Sequence, residues 1–271
     1  MTDLIQIFII AIAQGIGEFL PISSSGHNAV IEHIYTRLGY PLTEDSNEFI
    51  KLNIFLHLGS LIAILIFFRQ RIIDMFRKDL RLIPMLIVAT IPVGVVGILV
   101  DRFIPDSQEN LLIISFCFLV SAFLLLYTLR LPEGEKTCST MTWRDVFIIG
   151  FAQAVTILPG LSRSGTTIVV ALWCGLKRED AAAFSFLLAI PVLAGTGVLG
   201  CIKLLRATPV PVEGDASGMS MLLLFIGAAV SCIVGIITLM FLMDWLKKGK
   251  LWYFAIWLFF MSPVALALYF W

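Results

Sequence analysis

The sequence has few charged residues and no cysteine arrangement that predicts a disulfide framework or a cysteine metal site. Asp, Glu, Lys and Arg make up 14% of the 271 residues, about half of the average for soluble proteins. The five cysteines contain no Cys-x-x-Cys pair. These charged residues are too few to cover the surface of a water-soluble globular protein. Lys plus Arg equal Asp plus Glu at 19 each, so the net charge is zero and by itself indicates neither a nucleic-acid nor an acidic partner. We expect no nucleic-acid partner for this apolar chain.

Apolar residues are abundant instead, and they occur in long runs. Hydrophobic residues make up 59% of the chain, and the mean hydropathy is +0.97. A bilayer core of about 30 Å needs about 20 helical residues. Six runs approach this length, at residues 53–68, 83–100, 111–129, 181–202, 220–243 and 251–271. The sequence therefore predicts an all-α, polytopic membrane protein with six transmembrane helices, in a single membrane domain over residues 1–271.

Two further apolar segments are interrupted after about half of such a span. The first covers residues 4–36 and is broken at Gly17-Glu18 and Pro21. The second covers residues 146–176 and is broken at Pro159-Gly160. A short apolar stretch follows each break, which is typical of a re-entrant helix–loop–helix segment. Irregular backbone at membrane depth is tolerated where protein buries it or where it lines a wet cavity.

The two breaks carry matching motifs 139 residues apart. Ala13-Gln14 is followed by Ser23-Ser24-Ser25-Gly26, and Ala152-Gln153 is followed by Ser162-Arg163-Ser164-Gly165. We interpret this match as a duplication, with a first repeat over residues 1–130 and a second over residues 145–271. Each repeat has one re-entrant segment and three spans.

The distribution of Lys and Arg predicts the orientation. Connections on one side of the predicted spans hold thirteen of these residues, the other side holds five, and Arg163 lies between. The positive-inside rule places the richer side in the cytoplasm. Both termini and the first break then face outside, and the second break faces inside. The repeats are therefore inverted, an arrangement that places binding sites near the midplane of the membrane. Since Asp3 precedes any Lys or Arg, we also expect no cleaved secretory signal.

Glu18 and Arg163 are the two charged residues that this topology places away from both membrane faces. Either would cost about 2.5–3.5 kcal/mol at a helix centre on insertion scales. One interpretation is a buried ion pair that only locks the repeats together. The other is an anion site, because helix N-termini bind anions through free N–H groups and arginine binds phosphate oxygens bidentately.

We favour the anion site over helix capping alone as the role of both serine motifs. Its predicted binding residues besides Arg163 are Gln14, Ser23, Ser25, Gly26, Ser162, Ser164, Gly165 and Thr166. His27 directly follows the first motif and, with Glu18 and the hydroxyls, offers a nucleophile beside a base. His57, near the start of a span, is a further candidate for lining the cavity.

These residues carry a resemblance to a known family. Gln14-x-x-x-Glu18 matches a (Glu/Gln)-x-x-x-Glu motif, and residues 21–27 match Pro-Val-Ser-Ser-Thr-Gly-His with Ile22 and Ser25 as departures. Within residues 159–166, positions 159–165 match Pro-Gly-x-Ser-Arg-Ser-Gly. In these motifs, and in length, span pattern and duplication, the chain resembles the bacterial undecaprenyl-pyrophosphate phosphatase family, which is associated with bacitracin resistance.

The resemblance implies hydrolysis of undecaprenyl diphosphate to undecaprenyl phosphate and inorganic phosphate. The reaction would take place at the outer side of the bacterial cytoplasmic (inner) membrane and recycle the lipid carrier for cell-wall synthesis. A divalent metal, Mg²⁺ or Ca²⁺, is implied with Glu18 as a ligand, although Gln14 leaves a second position neutral. The implied partners are the polyprenyl diphosphate and membrane lipids, and a homodimer is a further expectation.

From the residues and the resemblance together, we expect Glu18, Ser24, His27 and Arg163 to be catalytic. Arg163 would hold the diphosphate, and Ser24 would attack the terminal phosphorus with His27 as proton carrier. Direct attack by His27 is the second hypothesis. Glu18 would orient the base or bind the metal. Because phosphoryl transfer depends mostly on positioning and charge stabilisation, Arg163 should matter in either scheme.

A flippase for polyprenyl phosphate or an anion-coupled transporter is the main alternative, since inverted repeats with broken helices are transporter architecture. A transporter needs the anion site but no nucleophile beside a base. Phosphatases of the phosphatidic-acid type use a further histidine after the arginine, and all three histidines here precede Arg163. The sequence therefore excludes that class.

The orientation predicts which positions a membrane-impermeant thiol reagent can reach in intact cells. In a background without native cysteines, Ser46→Cys should be labelled from outside and Thr137→Cys should not, because the predicted spans place them on opposite sides. Labelling of Thr137→Cys with protection of Ser46→Cys would show that the orientation is reversed.

Overall fold

The computed structural model describes residues 2–41, 46–103, 110–206 and 220–271, and over these residues the protein is helical with no β-strand. We number the eleven α-helices of these residues in chain order. They are α1 (Thr2–Gly17), α2 (Ser24–Arg37), α3 (Ser46–Phe67), α4 (Arg69–Lys78), α5 (Leu82–Phe103), α6 (Leu111–Tyr127), α7 (Trp143–Val155), α8 (Arg163–Trp173), α9 (Arg178–Arg206), α10 (Met221–Lys247) and α11 (Tyr253–Phe270). The predicted all-α class is confirmed.

Six of these helices are long and apolar enough to cross a membrane, which confirms the predicted number of spans. They are α3, α5, α6, α9, α10 and α11. Two of them extend well beyond the predicted apolar runs. Helix α3 begins at Ser46 instead of residue 53, and α9 covers Arg178–Arg206 instead of residues 181–202. The difference arises because an apolar run marks the part of a helix inside the hydrocarbon, whereas polar residues continue the helix into the interface.

Both predicted breaks interrupt helices. Helix α1 ends at Gly17, and α2 begins after its N-cap residue Ser23. Helix α7 ends at Val155, and α8 begins after Ser162. Helix α7 starts earlier than the predicted residue 146, because Thr142 forms a capping box with Asp145. The return of each helix pair to its own side of the membrane, and the inversion of the two repeats, remain predictions.

The connections predicted to share the cytoplasmic side meet at one end of the molecule. Arg71 of α4 lies 3.7 Å from Asp180 at the start of α9, and the Cys138 N–H donates to the same carboxylate at 3.1 Å. Lys247 at the end of α10 pairs with Glu179 at 3.0 Å. Burial, together with the nearby Asp180 carboxylate, raises the pKa of Cys138 to about 12. That thiol is therefore protonated at neutral pH.

Small residues allow close approach where α10 packs against α1 and α3. A Cβ atom added to Gly59 of α3 would lie 2.2 Å from the carbonyl oxygen of Ala228 in α10. A Cβ atom on Gly15 of α1 would lie 2.8 Å from the carbonyl oxygen of Ser231. The hydroxyls of Ser60 and Ser231 are 3.2 Å apart across the α3–α10 contact. This is the small-residue packing by which membrane helices associate.

Replacing Gly59 by alanine should destabilise the fold, because its Cβ cannot fit against the α10 backbone. We expect a loss of about 1–3 kcal/mol, the usual cost of overpacking. The measurement is the thermal unfolding midpoint of the purified protein in detergent. The control is Gly195→Ala in α9, where an added Cβ meets nothing within 4 Å, and its midpoint should not fall. Equal midpoints for the two variants would contradict the packing described here.

Candidate active site

The two broken segments share the same pattern of capping hydrogen bonds. Ser23 Oγ accepts the Gly26 N–H at 3.3 Å, and Ser162 Oγ accepts the Gly165 N–H at 3.1 Å. In each loop a second serine two residues later lies 3.3 Å from the capping hydroxyl. Ser23 adopts a left-handed φ of 71°, which is uncommon for a residue with a side chain. Ser23 and Ser162 therefore both cap the helices that follow them.

The two loops contact each other because glycine occupies their closest points. A Cβ atom on Gly26 would lie 3.0 Å from the Cα of Gly160, and one on Gly165 would lie 2.9 Å from the Cβ of Pro21. Ser164 Oγ also donates to the Leu20 carbonyl oxygen at 3.2 Å. The loops that are 139 residues apart in sequence thus form one structural unit.

Glu18 and Arg163 form an ion pair at the centre of this unit. Arg163 Nη2 donates to Glu18 Oε1 at 2.6 Å, and the two side chains are only 14% and 8% exposed, respectively. The other oxygen, Oε2, accepts Ser24 Oγ at 2.9 Å and Gln14 Nε2 at 3.1 Å. Gln14 is itself held by Asn28 Nδ2 at 2.9 Å. The carboxylate is therefore fixed by three donors, one of which is the hydroxyl of Ser24.

A cavity of about 400 Å³ adjoins the ion pair. Its polar end is lined by Glu18, Arg163 and Ser23–Ser25, together with His57 of α3. Arg163 Nη1 is buried and has no hydrogen-bond partner among the described residues. A buried guanidinium N–H left unpaired is costly, and an anionic group of a ligand would satisfy it.

His27 is not brought into this cavity, contrary to its expected place beside the nucleophile. Its Nδ1 donates to the Ser23 carbonyl oxygen at 2.9 Å, and its Nε2 accepts the indole N–H of Trp257 at 2.9 Å. The ring also stacks on Trp257 with centroids 6.0 Å apart. Both ring nitrogens are therefore engaged, and the imidazole ties α2 to α11.

The other residues predicted to bind substrate divide into two groups. Ser23 and Ser25 line the cavity. The remainder are absent from its wall: Gln14, Gly26, Ser162, Ser164, Gly165 and Thr166. Polar groups of these residues form hydrogen bonds within the broken segments. Gln14 donates to Glu18, and the Thr166 N–H donates to the Ser162 carbonyl oxygen at 2.9 Å. These residues therefore support the residues that line the cavity and do not line it themselves.

His57 is the imidazole that the structure places in the cavity. Its Nδ1 donates to the Asn53 carbonyl oxygen at 2.8 Å, so Nε2 is the nitrogen available to a ligand. His57 lines the same cavity as Glu18. In the sequence, His57 is a lone histidine near the start of an apolar span. This pattern made it only a candidate, because the sequence does not show which face of that helix points toward the cavity.

Glu18 is the one carboxylate of the described residues that lines the cavity. The described residues contain no group of three or more His, Cys, Asp or Glu side chains that could hold an ion. Glu18, the expected ligand, already accepts hydrogen bonds from Arg163, Ser24 and Gln14. A protein-held Mg²⁺ or Ca²⁺ needs several oxygen ligands, and this carboxylate alone cannot supply them.

Comparison with known proteins gives consistent matches over nearly the whole chain. The family described as bacitracin resistance protein BacA matches residues 7–264. An undecaprenyl-diphosphatase of Rhodopirellula baltica is 38% identical over 257 residues, which cover 95% of each chain. One from Thermodesulfovibrio yellowstonii is 36% identical over 270 residues, 100% of this chain and 99% of the relative. Undecaprenyl-diphosphatase 4 of Bacillus cereus is 35% identical over 252 residues, 93% of this chain and 92% of the relative.

The buried ion pair predicts that removing one charge destabilises the protein more than removing both. Arg163→Met should destabilise the protein by about 3–5 kcal/mol, because it leaves Glu18 buried without its partner. Adding Glu18→Gln to that variant should recover part of the loss, since the amide carries no charge. The measurement is the thermal unfolding midpoint in detergent, with the exposed Arg77→Met as control. A double variant less stable than Arg163→Met alone would contradict the pairing.

Proposed function

Since the chain belongs to the bacitracin resistance protein BacA family and is a membrane undecaprenyl-diphosphatase, we propose that hydrolysis takes place in the Glu18–Arg163 cavity. The observation that carries this assignment is the hydrogen bond from Ser24 Oγ to Glu18 Oε2 at 2.9 Å, beside the unpaired Nη1 of Arg163. It supports the proposal because a hydroxyl, a carboxylate and a guanidinium line the same cavity. A site that only bound and released an anion would need the arginine alone.

The proposed first step uses these three groups. The diphosphate binds to Arg163 through Nη1, and Ser24 Oγ attacks the terminal phosphorus while its proton passes to Glu18 Oε2. The bond from that phosphorus to the bridging oxygen breaks, and polyprenyl monophosphate leaves with the bridging oxygen. Arg163 stabilises the negative charge on the transferring group. Such charge stabilisation, together with positioning, supplies most of the catalysis in phosphoryl transfer.

The second step hydrolyses the phosphoserine. Water attacks the phosphorus, the bond to Ser24 Oγ breaks, and the serine recovers its proton from Glu18. We propose that His57 Nε2 accepts the proton of the water, because its Nδ1–H is held by the Asn53 carbonyl oxygen. His27, the proton carrier expected from the sequence, becomes a positioning residue through Trp257. Attack by His27 Nε2 would require its hydrogen bond with Trp257 to break.

The divalent cation implied by the resemblance is proposed to arrive with the diphosphate. Mg²⁺ is commonly held by substrate phosphates and one or two carboxylates, so it needs no complete protein cage. The two proposed steps need only water and side chains of this protein besides the substrate.

The proposed orientation has the cavity facing the outer leaflet, with both termini outside. It is supported by the Lys and Arg distribution and by the clustering of the four basic connections at one end of the molecule. The prenyl chain then stays in the bilayer while the headgroup enters the cavity. A homodimer remains an expectation.

Phosphate release from undecaprenyl diphosphate by the purified protein in detergent tests the assignment. Ser24→Ala should lower kcat by about 10³-fold or more, as removal of a nucleophile does. Ser25→Ala is the matched control, because Ser25 lines the same cavity but bonds only to Ser23 among the described residues, and it should retain most activity. His57→Gln should leave the first step intact and accumulate the phosphoserine.

Two outcomes would contradict the proposed mechanism. Near-normal turnover by Ser24→Ala would remove the serine as nucleophile. An acid-labile phosphohistidine trapped on His27 would return the imidazole to that role and show that the Trp257 hydrogen bond opens during turnover.

A further inference from the structure

The cavity continues from its charged end into an apolar end between α5 and α9. Val93 and Ile98 of α5 and Leu193 and Leu199 of α9 line it. Ile98 is 65% exposed and Leu199 is 54% exposed, although both lie within helices apolar enough to span the membrane. Residues that line a cavity and are also exposed mark its mouth. The cavity therefore opens sideways, toward the hydrocarbon of the bilayer.

Two threonines on this wall do not make it polar. Thr90 Oγ1 donates to the Leu86 carbonyl oxygen at 2.7 Å, and Thr196 Oγ1 donates to the Leu193 carbonyl oxygen at 2.9 Å. Each hydroxyl is satisfied within its own helix, a common arrangement for threonine in helices. The wall beyond the ion pair therefore offers no free hydroxyl from these residues, and an apolar ligand suits it.

Glycines on this wall differ from those that pack helices together. A Cβ atom added to Gly94 of α5 or to Gly195 of α9 would meet nothing within 4 Å, whereas one on Gly59 would collide with the α10 backbone. Both Gly94 and Gly195 line the cavity. Glycine costs helix stability relative to alanine, and neither position needs it for helix contact. Because glycine has no side chain, part of the cavity next to Gly94 and Gly195 stays open.

We propose that Gly94 and Gly195 set the width of a groove for the first isoprene units of the substrate. The groove starts at the diphosphate position on Arg163 and leaves the protein between α5 and α9. This inference rests on the proposed function, because the occupant is the prenyl chain of the same substrate. The two glycines are specificity-determining residues, and neither touches the phosphorus.

Cavity size and continuity select this occupant. A volume of about 400 Å³ is at the small end of the range for small-molecule sites. It accommodates a headgroup and the start of a chain, so the rest of a long chain must pass through the lateral mouth into lipid. A soluble anion would use the charged end and leave the apolar groove empty.

Bulky substitutions at the two glycines test the groove. Gly94→Leu and Gly195→Leu should each lower kcat/KM for undecaprenyl diphosphate by about 10-fold or more, since a few methylenes in an apolar site discriminate to this degree. Inhibition by methylene diphosphonate, a headgroup without a chain, should keep the same constant. Leucine favours helix more than glycine does, so both variants are expected to fold.

The matched controls are Val95→Leu and Ala194→Leu. Each adds bulk next to one of the glycines, on an exposed face outside the cavity lining, and each should retain wild-type kcat/KM. The groove is overturned if the glycine variants turn over undecaprenyl diphosphate normally, or if they weaken diphosphonate inhibition as much as they lower turnover. Failure of the wild type to release phosphate would instead refute the proposed function.

Discussion

The ion pair between Glu18 and Arg163 is the interaction on which the rest of the site depends. Each charge comes from a different broken segment, and both are nearly buried. Removing two charges from water costs more than their attraction returns unless further hydrogen bonds satisfy them. Gln14 and Ser24 supply those bonds to the carboxylate. On the arginine, Nη1 remains unsatisfied among the described residues, and we propose that a phosphate oxygen of the substrate completes the network there.

Glycine serves two opposite purposes in this chain. Gly59 and Gly15 let helices approach until their backbones touch, and Gly26 and Gly165 do the same for the two loops. Gly94 and Gly195 leave space unfilled beside the cavity. The first use holds the charged residues of the site in place, and the second leaves the space that we propose for the prenyl chain. Helix α5 is accordingly the least buried of the six spanning helices, at 17% of its apolar window.

Much of this arrangement could be predicted from local sequence. The six spans follow from apolar runs of bilayer length, and the breaks follow from proline and glycine next to serine caps. The proximity of Glu18 and Arg163 could be expected because two buried charges need partners. The position of His27 could not be predicted, since its partner Trp257 is 230 residues away and no local pattern joins them. The cavity position of His57 depends equally on how α3 packs against the broken segments, which periodicity in one helix does not determine.

The most direct test of the account is the turnover of Arg163→Lys, measured as phosphate release from undecaprenyl diphosphate together with the thermal midpoint of the same preparation. Lysine keeps the charge beside Glu18 but has no planar fork to reach a carboxylate and a phosphate at once. We expect a loss of about 10²-fold or more in kcat, with a midpoint close to that of the wild type. Near-normal turnover by a stable Arg163→Lys protein would contradict the claim that the arginine bridges Glu18 and the substrate.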